Sequence, residues 1–155
     1  MYSLVTTSII QGIKSIPVYV EADVSDGMPL FEMVGSLSPE VKESKERVRT
    51  ALKNTAYILP PKRITINFIP ANIRKTGSGF DLPVVAAVLC AIGIVPEEAL
   101  KDTMVVGEIS LSGDVKPVNG ILPMVAEAKE RGVTRCIVPA ENQTEAQLVK
   151  EIEIF

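Results

Sequence analysis

Residues Pro60 to Leu89 read PPKRITINFIPANIRKTGSGFDLPVVAAVL. Two periodicities stand side by side in this stretch. From Arg63 to Ile69 the apolar Ile64, Ile66 and Phe68 alternate with polar residues, and β-branched side chains dominate, which predicts a strand. From about Leu82 to Ile92 the chain is apolar nearly all round, which predicts a central, buried helix. Asp81 is its candidate cap, and Pro83 is tolerated in its first turn. Between them Ala71 to Gly79 is a loop with Arg74, Lys75 and the glycines Gly77 and Gly79.

Moving towards the amino terminus, Pro60-Pro61 closes a connection from a helix that Ser38 caps and Pro39 begins. Its apolar stripe is Val41, Val48, Ala51 and Leu52, with Ser44 on that side; Lys42, Glu43, Lys45, Glu46, Arg49 and Lys53 face water. Lys42 with Glu46 and Glu43 with Arg47 are opposite charges four apart. Strands are predicted at Met1 to Ile10, at Val18 to Val24 by strict alternation, and at Leu30 to Val34 after the Asp26-Gly27 turn. Moving towards the carboxyl terminus, Met104 to Leu111 reads as one strand, turned by Ser112-Gly113-Asp114 into a partner at Val115 to Val118. A helix from about Leu122 to Glu130 stops at Gly132. A short strand at Cys136 to Val138, a helix over Glu141 to Lys150 and a strand at Ile152 to Phe155 complete the chain. The class is α+β, an α/β two-layer arrangement in one domain over residues 1–155.

The 155 residues include 46% hydrophobic and 23% charged residues, which fits a globular protein rather than a disordered one. A net charge of -3 gives no global pull towards nucleic acid. The absence of histidine removes a Ser-His-Asp triad and every His-ligated metal site. Cys90 and Cys136 lie apart in apolar stretches and read as buried thiols in a reducing cytoplasm. No secretory signal opens the chain. Leu82 to Val95, the longest apolar stretch, is well short of the roughly 20 residues a membrane span needs.

Five stretches, GMPLFEMVG (27–35), ESKERVRTALKN (43–54), the opening segment, GEISLSGDVKPVNGILPM (107–124) and VPAENQTEA (138–146), are together similar to the amino-terminal domain of the ComM-type, YifB-like proteins, a Mg-chelatase-like AAA+ family. The resemblance covers essentially the whole chain in order. It implies a domain like the Lon proteolytic domain, with a ribosomal protein S5 domain 2-like fold and a mixed sheet packed on helices. It also implies an AAA+ ATPase module following this domain and a ring, expected to be a homo-hexamer, that promotes DNA branch migration during natural transformation. No G-x-x-x-x-G-K-[ST] sequence occurs here, so ATP and Mg are expected only for that further module, with no cofactor for this chain. Its partners would be its own AAA+ module, neighbouring subunits and DNA, with no membrane.

Lon-like chemistry needs a serine hydroxyl activated by a lysine amine within hydrogen-bond reach. By the resemblance, the serine loop corresponds to Gly77-Ser78-Gly79-Phe80-Asp81. Gly79 takes the nucleophile's place and Ser78 lies one residue away. Leu122 takes the place of the lysine, and Lys116 is the nearest amine, six residues earlier. A leucine takes no proton, so peptidase activity is not expected. The glycine loop before a helix could bind an anion, but Asp81 would repel a phosphate, and a tight turn is the preferred reading. Asp23 with Asp26 or Glu21 reads as turn chemistry rather than a metal pair.

Arg47, Arg49, Lys53, Lys62, Arg63, Arg74 and Lys75 cluster in a run without Asp or Glu from 47 to 80. This is the candidate surface for DNA or a partner. The expected function is that of a non-catalytic accessory domain aiding DNA binding or ring assembly. The alternatives are a Ser-type Lon-like peptidase and a purely structural interaction domain.

Overall fold

The computed structural model describes residues 1–155. A seven-stranded mixed sheet organises the chain, its strands lying side by side in the order 30–34, 63–69, 14–25, 2–11, 103–105, 135–137 and 153–154. β1 (Tyr2–Gln11) and β2 (Lys14–Ser25) form a hairpin through Gly12-Ile13, in unbroken register from Tyr2↔Asp23 to Gln11↔Lys14. Gly12 takes φ +64 there, a left-handed conformation that glycine reaches without strain. β3 (Leu30–Val34) runs parallel to β4 (Arg63–Ile69), and β4 antiparallel to β2. The other half of the sheet is parallel: β1, β5 (Thr103–Val105), β8 (Arg135–Ile137) and β9 (Glu153–Ile154). The mixed sheet packed on helices matches the expected class.

Period-two alternation decides which side of the sheet holds the core. Val18, Val20, Ala22 and Val24 of β2, and Ile64, Ile66 and Phe68 of β4, turn to one face. There they meet Val48 and Leu52 of α2 (Ser44–Asn54) and Val84, Ala87 and Val88 of α3 (Asp81–Ala91). Phe80 meets Phe68 edge-on, with ring centroids 5.4 Å apart. On the parallel half the alternation feeds both faces. Val105 and Ile137 join the cluster beneath α3. Met104 and Cys136 join a second cluster with Ile121, Met124, Val125 and Ala128 of α4 (Ile121–Glu130). The expected two layers therefore become three there, as parallel strands buried on both faces require. No helix is long and apolar enough to cross a membrane.

Three elements differ from the sequence reading. Ser38 caps as expected, accepting from the Val41 amide at 3.3 Å, but the helix bends at Glu43 into α1 (Pro39–Lys42) and α2. Glu43 pairs with Arg47 at 3.7 Å, while Lys42 and Glu46 fall on either side of the bend and form no ion pair. Met104 to Leu111 is not one strand. The Gly107 amide donates to the Gly79 carbonyl at 3.0 Å and its carbonyl accepts from Leu82 at 2.9 Å, so the chain leaves the sheet to hold the start of α3. Beyond it β6 (Glu108–Ile109) pairs with β7 (Val115–Lys116) as a separate hairpin. The Glu141 to Lys150 helix contracts to a 3-10 turn and α5 (Gln143–Ala146). Asn142 is turned inward, exchanging hydrogen bonds with both backbone groups of Val118.

Candidate functional site

Asp81 does not cap α3. It is the first helical residue and its side chain makes no capping bond. The carboxylate is fully buried beneath α2 and accepts from Arg47 Nε at 2.7 Å, Arg47 Nη2 at 3.0 Å and the Ile109 amide at 3.0 Å. A buried charge persists only when paired and hydrogen-bonded in this way. Arg47, expected at a partner surface, is thereby committed to the interior. Its guanidinium also donates to the Glu40 carbonyl, and the Asp81 hydrogen bond holds its pKa above the ordinary value.

The Gly77-Ser78-Gly79 loop lies above this pair, at the rim of a cavity of about 270 Å³ bounded by Ser8, Ile10, Ser78, Glu108, Asn119 and Met124. The Ser78 hydroxyl donates to the Glu108 carboxylate at 2.8 Å. No lysine or arginine lines the cavity. Leu122 is half-buried on α4, its amide donating to the Glu145 carboxylate at 3.3 Å, and it does not reach the cavity. Lys116 sits exposed on β7, in register with Glu108. The loop is not a free anion cradle, since the Gly77 amide donates to the Glu40 carboxylate at 2.7 Å. Sequence reasoning missed both Glu40 and Glu108. Each is an isolated acid whose partner lies 37 or 30 residues away, so no local spacing announces it.

Lys75 also leaves the expected surface. Its backbone bridges to Leu37, with Ser38 donating to the Lys75 carbonyl and Lys75 to the Ser36 carbonyl, both at 2.9 Å. That directs the side chain inward, where it is fully buried. Its ammonium donates to the Gly35 carbonyl at 2.6 Å and to the Pro70 carbonyl, and no carboxylate faces it. Burial lowers its pKa from the usual lysine value. The unfolded chain therefore binds more protons than the native state between that lowered pKa and about 10.4, and this group's contribution to stability rises with pH through that window. Urea unfolding should show wild type gaining on Lys75→Met as pH rises towards about 10.4, by at most about 1.4 kcal/mol per pH unit. A stability difference that stays constant with pH would place the ammonium in water.

The remaining basic residues do not form one patch. Arg63 is on the opposite face of the sheet, 3.5 Å from Glu32, and Arg74 is exposed on the loop before Lys75. Arg49 and Lys53 of α2 and Lys62 converge on a groove of about 550 Å³ between α2, β3 and residues 57–62. Lys45, which the sequence reading placed only on the wet side of the helix, lines it with them. The three α2 cations recur at every fourth residue, a spacing legible in the sequence.

Both cysteines are free thiols, and burial pushes Cys136 up to about 12. Thiol titration of the native protein near pH 8 should leave Cys136 unreacted and unfolding should release it; rapid native labelling would contradict its burial. The three acids near the first turn have separate partners. Glu21 accepts from Tyr2 and Asn67, Asp23 lies 4.0 Å from the terminal ammonium, and Asp26 pairs with Lys62 at 3.3 Å. No group of three or more acids or cysteines comes together as a metal site.

The sequence of subunit ChlI of Mg-chelatase is the family pattern matched by residues 20–142. The chain is 37% identical over 147 residues to the uncharacterised protein YifB of Escherichia coli, covering 95% of this chain and 29% of that protein. It is 36% identical over 140 residues to the competence protein ComM of Haemophilus influenzae, covering 90% and 27%. It is 33% identical over 133 residues to Lon protease 2 of Bacillus subtilis, covering 82% and 23%. The chain thus spans under a third of the length of these relatives. With a mixed sheet on helices, a glycine loop opening a buried helix and a match over most of its length, it belongs to the Mg-chelatase ChlI family.

Proposed function

We propose that this chain is a non-catalytic accessory domain of a longer Mg-chelatase-like AAA+ ATPase that acts on DNA, in branch migration during natural transformation and recombination. The observation that carries the non-catalytic part is the Ser78 site. Its hydroxyl is engaged by a carboxylate, and the cavity holds no amine to serve as the base of a Ser-Lys pair. The likeness to a competence protein supports the DNA role. ATP and Mg belong to the module beyond this domain, the working assembly is a homo-hexameric ring, and its place is the cytoplasm. The domain contributes DNA contact or subunit contact within that ring.

The test uses the full-length protein with a four-way DNA junction and, separately, a casein-type substrate. Junction processing should depend on ATP and continue in Ser78→Ala, whose loss of one hydrogen bond costs about 1 kcal/mol of stability. No peptide hydrolysis is expected from either protein. Hydrolysis that Ser78→Ala abolishes would overturn the non-catalytic reading, and a full-length protein inert on junctions would overturn the DNA role.

A further inference from the structure

The groove between α2 and the β3 edge carries a charge pattern that the fold itself does not use. Lys45, Arg49 and Lys53 make no ion pair within the chain, although most of the other arginines find a carboxylate or carbonyl. They stand about 6 Å apart along α2, four residues at 1.5 Å each. Lys62 adds a fourth cation on the opposite wall, and Glu46 is the one acid in the lining. Beyond Lys53, Tyr57 is 48% exposed and Ile58 is 86% exposed, both lining the same groove. A line of unpaired cations at roughly one-nucleotide intervals, ending at an open aromatic ring, is what a single nucleic-acid strand needs: charges for its phosphates and a face for one base.

We infer that this groove binds a single strand of nucleic acid, with Lys45, Arg49 and Lys53 on successive phosphates, Lys62, which pairs with Asp26 in the free protein, across the groove from them, and Tyr57 stacked on a base. The inference rests on the DNA role proposed above and assigns it to a surface of this domain. Arg47, Arg63, Arg74 and Lys75 lie outside it, two because they are tied up inside the protein and two because they face elsewhere.

Fluorescence anisotropy with a labelled oligothymidylate and the 155-residue chain tests it over a salt series from about 50 to 200 mM. For three to four neutralised phosphates on a single strand, the logarithm of affinity should fall with the logarithm of salt at a slope of about −2 to −3. The triple variant Lys45→Ala, Arg49→Ala, Lys53→Ala should bind at least about tenfold more weakly with a slope near −1. Tyr57→Ala should bind about tenfold more weakly with the slope unchanged, because stacking releases no counterion. Lys101→Glu with Lys150→Glu, exposed sites far along the chain, should bind within about twofold of wild type. Melting temperatures of all variants confirm that they are folded. Equal binding of the matched duplex, unchanged binding by the triple variant, or displacement of the oligonucleotide by polyglutamate at equal charge concentration would each overturn the inference, the last by showing an acidic protein partner. If full-length protein processes junctions while the groove variants bind like wild type, the groove inference fails and the DNA role stands. If full-length protein does nothing to DNA, the role itself fails.

Discussion

Replacing Arg47 by methionine is expected to cost the fold about 3–5 kcal/mol, the range for removing one partner of a buried ion pair. Asp81 has no exposed surface, so the change strands its carboxylate in the interior with a single remaining donor, the Ile109 amide. For a domain of this size the melting temperature should fall by about 6–20 °C. The double variant Arg47→Met, Asp81→Leu separates pairing from packing. It removes both charges, leaves one backbone amide without a partner at about 1–3 kcal/mol, and should recover part of the loss. Denaturant midpoints for the set decide it. A loss under about 1 kcal/mol in the single variant would mean that water reaches the carboxylate.

The second large effect is expected from Gly35→Ala. Gly35 has φ +123, and a Cβ there would lie 2.5 Å from the Phe68 carbonyl oxygen and 3.0 Å from the Phe68 amide nitrogen. The obstacle is the backbone of β4, a strand paired on both sides, so relief requires moving the sheet or the turn. Strain at such a φ costs about 1–3 kcal/mol by itself, and the clash adds to it, for a total of about 3 kcal/mol or more. The Gly35 carbonyl is also an acceptor for the buried Lys75 ammonium, so a displaced turn loosens that contact. Gly77→Ala is the internal comparison. Its φ is +88 but nothing lies within 4 Å of the added carbon, so only the conformational strain of about 1–2 kcal/mol is expected. If the two variants melt together, the contact at Phe68 is not rigid.

These two sites show where sequence reasoning reached and where it stopped. β1 to β4 were legible because the alternation of residues such as Val18, Val20, Ala22 and Val24 is fixed by the pleat. The stripe on α2 was legible for the same reason at helical period. The break at Gly107 was not, because the apolar run Met104-Val105-Val106 leads straight into the alternating Glu108 to Leu111 while the partners change from a sheet to a hairpin. Asp81 before an apolar helix reads as a cap on local grounds, and only the tertiary approach of α2 turns it into an ion-pair partner. The basic run from Arg47 to Lys75 was visible as composition, but composition carries no direction. One more bridge at Leu37 sends Lys75 inward, and one residue of register sends Arg63 to the far side of the sheet.

Asp81 touches α2 through Arg47, opens α3, and holds β6 through the Ile109 amide, so three elements distant in the chain meet at one carboxylate. That amide makes the Ile109 N–H a natural reporter of the junction. Its hydrogen is protected while Asp81 accepts it, and lifting α2 takes away the Arg47 donors that hold that carboxylate in place. Exchange at this single backbone position therefore reads out the seating of α2 from across the domain, and whatever firms or frees that helix will slow or speed it in step.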